Sequence, residues 1–133
     1  MNIVAICLAL LGLLVFAGGF YVSLCRDREK QVAGYPEDPS NRLHKAVRAH
    51  ANAIEYAPFI AVLIYVTAQM STATWVPWVM VVLVLARYLH FAGMVLSPTI
   101  AEPYPLRFVG ALSTYIFGTL LSLYLVFVVL TQA

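Results

Sequence analysis

Charge is scarce in this chain. Of its 133 residues 11% are Asp, Glu, Lys or Arg, against 62% hydrophobic, and the mean hydropathy is +0.87. Soluble domains of ordinary composition carry about a quarter of charged residues, so this balance excludes that class and predicts an integral membrane protein. Eight basic residues set against six acidic ones leave a net charge of +2. That is too little, and too scattered among acids, to engage a phosphate backbone, so a nucleic-acid partner is excluded as well. Cysteine is equally sparse: Cys7 and Cys25 lie eighteen positions apart on one apolar segment and cannot bridge to each other along a straight helix. His44, His50 and His90 fall on different elements with no cysteine nearby, so no metal set is expected.

Long apolar runs are what the chain does have. The first covers residues 3–24, enough at 1.5 Å per residue to cross a hydrocarbon core of roughly 30 Å. No basic residue precedes it and no small-x-small exit interrupts it, so it is expected to be a retained span and not a cleaved leader. A polar loop follows at 26–45, with five of the eight basic residues, four of the six acids and two prolines. Further spans are predicted at 46–70, 75–96 and 106–130, separated by the turn STAT and by SPTIAEPYP with its three prolines. Trp75 and Trp78 mark an interfacial boundary. The whole of 1–133 is thus expected to be one all-α domain, a membrane-spanning four-helix bundle. The basic loops 26–45 and 97–106 belong inside and both termini outside, by the excess of positive charge on cytoplasmic loops. A bacterial inner membrane or its equivalent is the expected location.

Against that background the stretch RAHANAIEYAPF at 48–59 stands out. At 100° per residue Arg48, Asn52, Glu55 and Phe59 fall within an arc of roughly 60°, one polar stripe on one helix face. The opposite ridge, Ala46, His50, Ala53, Ala57 and Ala61, is mostly small and suits close helix packing. Pro58 removes an amide donor just after the polar turn, where a bend is expected. Arg87 lies at a depth similar to that of Glu55, and a charge near the bilayer centre costs roughly 2.5 to 3.5 kcal/mol unless it faces protein or water. The two are either a structural ion pair or members of one polar site, and Arg48 and Asn52 weigh towards the site. His90 shares the Arg87 face, with a packing role favoured. In the last span Gly110, Thr114, Gly118 and Ser122 form a small-residue stripe read as packing, and Tyr115 and Tyr124 read as packing or interfacial residues. Arg107 opens that span, as a headgroup anchor or as a stabiliser of an anion or thiolate. Proton-coupled transport built on Glu55 ranks low, because four short unbroken spans offer little machinery for alternating access.

At these residues the chain resembles the MAPEG family, membrane-associated proteins in eicosanoid and glutathione metabolism, which includes microsomal glutathione transferases, leukotriene C synthase and microsomal prostaglandin E synthase. RAHANAIEYAP is similar to the family's signature of Arg, His or Gln, Asn, Glu and an aromatic before Pro, and LARYLHFAG places an arginine in the third span as the family does. The resemblance implies a homotrimer binding glutathione between adjacent subunits near the cytoplasmic face, with an apolar small molecule or lipid as second substrate. It carries glutathione contacts onto Arg48, His50, Asn52, Glu55, Tyr56, Arg87 and His90, and the thiol-activating role onto Arg107. Arg26 or Arg28 matches the first-helix arginine. Two departures stand out: Met94 occupies the place of a tyrosine used in the eicosanoid branch, and the loop before Arg107 is several residues longer. The implied function is glutathione transfer to an apolar electrophile or reduction of a lipid hydroperoxide, with a non-catalytic lipid-binding or scaffolding role as the alternative.

Overall fold

The computed structural model describes residues 3–132. Residues 1, 2 and 133, the ends of the expected domain, lie outside the described residues. The chain folds into four helices, α1 (Ile3–Glu29), α2 (Arg42–Met70), α3 (Val76–Leu96) and α4 (Pro105–Gln132), and no strand occurs among the described residues. Each is long and apolar enough to cross a membrane. The protein is a multi-pass integral membrane protein built as an all-helical bundle.

Two boundaries differ from those that hydropathy gives. α1 continues past its last apolar residue to Glu29 and ends where Lys30 takes a left-handed φ of 54°. There the Gln31 amide donates to the Arg26 carbonyl and the Lys30 amide to that of Asp27, the double closure of a Schellman turn. α2 begins earlier than 46, because the Asn41 side chain accepts from the Leu43 and His44 amides and caps the helix. The polar loop is therefore 30–41. It is tied down by Arg26 donating to the Val32 carbonyl, His44 Nδ1 donating to that of Pro36, and the Ile100 amide donating to that of Pro39. The last of these joins it to the 97–104 loop, so both predicted basic-side loops do meet at one end of the bundle.

Between helices packing comes from shape, since lipid tails are as apolar as the side chains themselves. On α1 the buried residues Cys7, Leu11, Leu14, Gly18, Val22 and Cys25 recur every three or four positions, the spacing of one helical seam. They face the small ridge of α2, where Ala46, Ala49, Ala53 and Ala57 are all buried. Both cysteines are free thiols. α2 runs unbroken through Pro58. α2 and α3 each touch all three other helices, whereas α1 and α4 do not touch.

α4 meets α3 along a line different from the predicted stripe. Gly110 and Thr114 are buried as expected, but the line then continues through Leu121 and Val128, while Ser122 is exposed and Gly118 is half-buried, with Leu83 Cδ1 of α3 at 3.9 Å from where its Cβ would lie. At 100° per residue Gly118 and Ser122 rotate roughly 80° and 120° away from Gly110, whereas Leu121 and Val128 stay within about 20° of it. Near the loops the two helices are in backbone contact: a Cβ on Gly93 would collide with the Arg107 main chain, and one on Gly110 with that of His90.

Candidate functional site

The α2 stripe points away from the protomer's own core. Arg48, Glu55 and Phe59 are exposed, on the face opposite to buried Ala53, Ala57, Ile60 and Ile64. Asn52, on the edge of that stripe, is half-buried and looks towards α3. There it meets Arg87, only 2% exposed, whose Nη2 donates to Asn52 Oδ1 at 2.6 Å and to the Asn52 carbonyl at 3.2 Å. The guanidinium also stacks over Tyr56, 4.6 Å from the ring centroid, a cation–π contact that is strong where water is excluded. Arg87 Nε is buried without a hydrogen-bond partner.

The predicted meeting of α2 and α3 polar groups at one depth is therefore found, with Asn52 in the place expected for Glu55. Among the described residues neither Glu55 nor Arg48 makes a hydrogen bond or an ion pair, and Glu55 acts on Arg87 only at longer range. Arg87 is thus a buried cation whose direct partners are an amide and an aromatic face. Such a group costs free energy unless further hydrogen bonds or an anion offset its desolvation.

His50 sits on the packing ridge as its register predicts. Its ring lies over Gly18 and Gly19 of α1 beside Phe91, and its Nδ1 is buried with no partner. His90 serves the α3–α4 seam: its Nδ1 donates to the Arg107 carbonyl at 3.0 Å, which places a proton on that nitrogen, because a carbonyl only accepts. Arg107 itself is half-buried at the start of α4, and its Nη1 and Nη2 donate to the Ile100 and Glu102 carbonyls at 2.9 and 2.7 Å. Met94 is buried in the core of α3. Arg28 is exposed at the loop end of α1, and Arg26 is half-buried there.

One residue beside this cluster is expected from the sequence only to pack or to sit at an interface. Tyr115 of α4 approaches Tyr56 with ring centroids 6.4 Å apart and planes inclined at 46°. The pair closes one end of a groove of about 490 Å³ between α2 and α4, lined further on by Phe59, Ile60, Leu63, Gly118, Thr119, Ser122 and Leu123. At the far end Tyr124 bonds Ser71 Oγ at 2.7 Å and packs edge-on against Trp75. Tyr115 lies on the exposed side of α4. That this side leans over α2 depends on the crossing of the two helices, which no local pattern encodes. No cluster of three or more His, Cys, Asp or Glu able to hold a metal occurs among the described residues.

Compared with known proteins, residues 4–127 match a family model described as the MAPEG family. A comparison with curated proteins gave no match. The matched span is nearly the whole chain, and the chain belongs to the MAPEG family.

Proposed function

We propose, from membership of the MAPEG family, that this protein binds glutathione along the outer polar face of α2 and passes its thiolate to an apolar electrophile, or uses it to reduce a lipid hydroperoxide. The observation that carries the reading is the pair Arg48 and Glu55, exposed on one face of a membrane helix without a direct partner and flanked by Asn52 and Arg87. Opposite charges facing lipid are costly, so both require a partner of complementary charge. Glutathione carries two carboxylates and one ammonium, and arginines with one glutamate complement it through charge-assisted hydrogen bonds. In the trimeric arrangement of the family a second subunit covers this face, enclosing glutathione between copies. His50 and either Arg26 or Arg28 then reach it from the neighbour, and Tyr56 and His90 close it from within. Basic loops on the cytoplasmic side and both termini outside complete the orientation, in a bacterial inner membrane or its equivalent.

In this reading Arg107 stabilises the thiolate. It opens α4, where the helix N-terminus adds positive potential, and its bonds to the Ile100 and Glu102 carbonyls fix where its charge lies. A cation beside the sulfur draws the thiol pKa below about 8.5 and raises the thiolate fraction at neutral pH. Mixing the purified protein with glutathione in a stopped-flow spectrometer should give ultraviolet thiolate absorbance that disappears in Arg107→Ala. No signal from the unmutated protein would sink the proposal.

A second reading, a non-catalytic lipid-binding or scaffolding member of the family, draws on Met94 and on the engagement of both Arg107 terminal nitrogens by its own loop. Calorimetry separates the two. Heat on adding glutathione supports the transferase, and heat with an apolar lipid alone supports the binder.

A further inference from the structure

Tyr115 is more than half exposed, at 56%, and stands at the polar end of the α2–α4 groove beside Tyr56. Behind Tyr56 lies the Arg87 guanidinium, buried and, among the described residues, with no carboxylate within 4.0 Å. The groove beyond the two phenols is mostly apolar. An arrangement of this kind favours an oxygen atom on which negative charge develops, because phenolic donors face it and a fixed positive charge backs them. Tyr56 is half-buried under Arg87, which leaves Tyr115 as the more accessible donor. Arg87 is near the middle of α3, so this polar end lies well inside the bilayer. That depth suits an oxygen function carried part-way along an acyl chain, not one at a headgroup.

We propose that Tyr115 is a catalytic residue: the proton donor to the leaving oxygen when glutathione reduces a hydroperoxide whose apolar chain lies in the α2–α4 groove. The inference rests on the glutathione-dependent activity proposed above and assigns one step of it. The thiolate sulfur attacks the terminal peroxide oxygen, an S–O bond forms and the O–O bond breaks. The electron pair goes to the inner oxygen, which takes the Tyr115 phenolic proton and departs as the alcohol. Sulfur is oxidised to the sulfenic acid and the peroxide is reduced. A second glutathione returns its thiol proton to the phenolate and, as thiolate, attacks the sulfenic sulfur: the S–S bond of the disulfide forms, the S–O bond breaks, and the departing hydroxide becomes water with the proton that the first thiol released to solvent.

The test compares two electrophiles with the full-length protein in detergent or liposomes. Cumene hydroperoxide expels an alkoxide that needs a proton, whereas 1-chloro-2,4-dinitrobenzene expels chloride, which needs none. Tyr115→Phe keeps the ring and removes the acid, so peroxide reduction should fall by about 100-fold, the usual scale of general acid catalysis, with conjugation of the aryl chloride changed less than about twofold. Equal losses on both substrates assign Tyr115 a structural role and overturn the inference. An unchanged peroxide rate overturns it too, as does an unmutated protein that conjugates the aryl chloride but leaves the peroxide untouched; in both cases the transferase stands. Absence of glutathione binding and of turnover with either substrate in the unmutated protein removes the transferase and this inference together.

Discussion

α4 has two neighbours and treats them differently. Its first turns lie against α3 so closely that the backbones touch at Gly93 and Gly110, whereas its middle stands off α2 and leaves a groove. The same residue type serves both purposes eight positions apart. A Cβ at Gly110 would strike the His90 main chain; one at Gly118 would meet only Leu83 Cδ1 at 3.9 Å, an ordinary van der Waals distance. One glycine permits contact and the other permits vacancy. In a membrane this difference has functional weight, because helices there associate by fit and a gap between them is open to a lipid-like guest.

The largest effect should therefore come from closing the tight side. Gly110→Ala cannot be absorbed by rotating a side chain, since the obstacle is backbone. Overpacking of that kind costs typically 1–3 kcal/mol and sometimes more, so about 3 kcal/mol is expected. Unfolding in mixed detergent micelles measures it, and the same experiment with Gly93→Ala should give a loss of similar size. A cost near zero at both positions would mean that the α3–α4 contact is looser than described.

A smaller loss should follow removal of the polar tie at the head of the open side. Asn52→Ala leaves Arg87 buried with its terminal nitrogens short of their best acceptor. A hydrogen bond to a charged group contributes roughly 1.5–3 kcal/mol, so a loss of about 2 kcal/mol is expected in the same unfolding assay. Asn52→Asp sharpens the point, because a carboxylate there would pair with the guanidinium. It should retain more stability than the alanine variant at neutral pH.

How much of this was legible in the sequence follows from the kind of signal each feature leaves. The four spans were plain from hydropathy, and the polar stripe of α2 from its period, because both are properties of consecutive residues. Hydropathy does not see a helix that outlasts the membrane, so the charged end of α1 and the capped start of α2 at Asn41 were assigned to the loop. The depth match between helices two and three also came through, since it needs only the rise per residue. Which α2 side chain meets Arg87 did not, because choosing Asn52 over Glu55 depends on helix rotation. On α4 a small-residue stripe at spacings of four turns off the contact line, which passes through Leu121 and Val128. Spacing alone therefore reveals neither the groove nor the neighbourhood of Tyr115.

The smallest effect is also the most discriminating. Gly118→Ala adds one methyl group to the groove wall without meeting backbone, and alanine is favoured over glycine within a helix by roughly 0.5–1 kcal/mol. The two terms point the same way, so stability should stay constant or rise by less than about 1 kcal/mol. Beside a loss of about 3 kcal/mol at Gly110, one substitution made twice on one helix would then differ in sign. Gly118→Leu carries the argument from stability to function. A larger side chain in the groove should leave unfolding nearly unchanged while weakening binding of a long acyl chain, measured by competition with a fluorescent fatty acyl probe. If Gly118→Ala instead costs as much as Gly110→Ala, the space beside Gly118 is closed, with Leu83 of α3 as unyielding as the backbone at Gly110, and the groove is not open to a guest there.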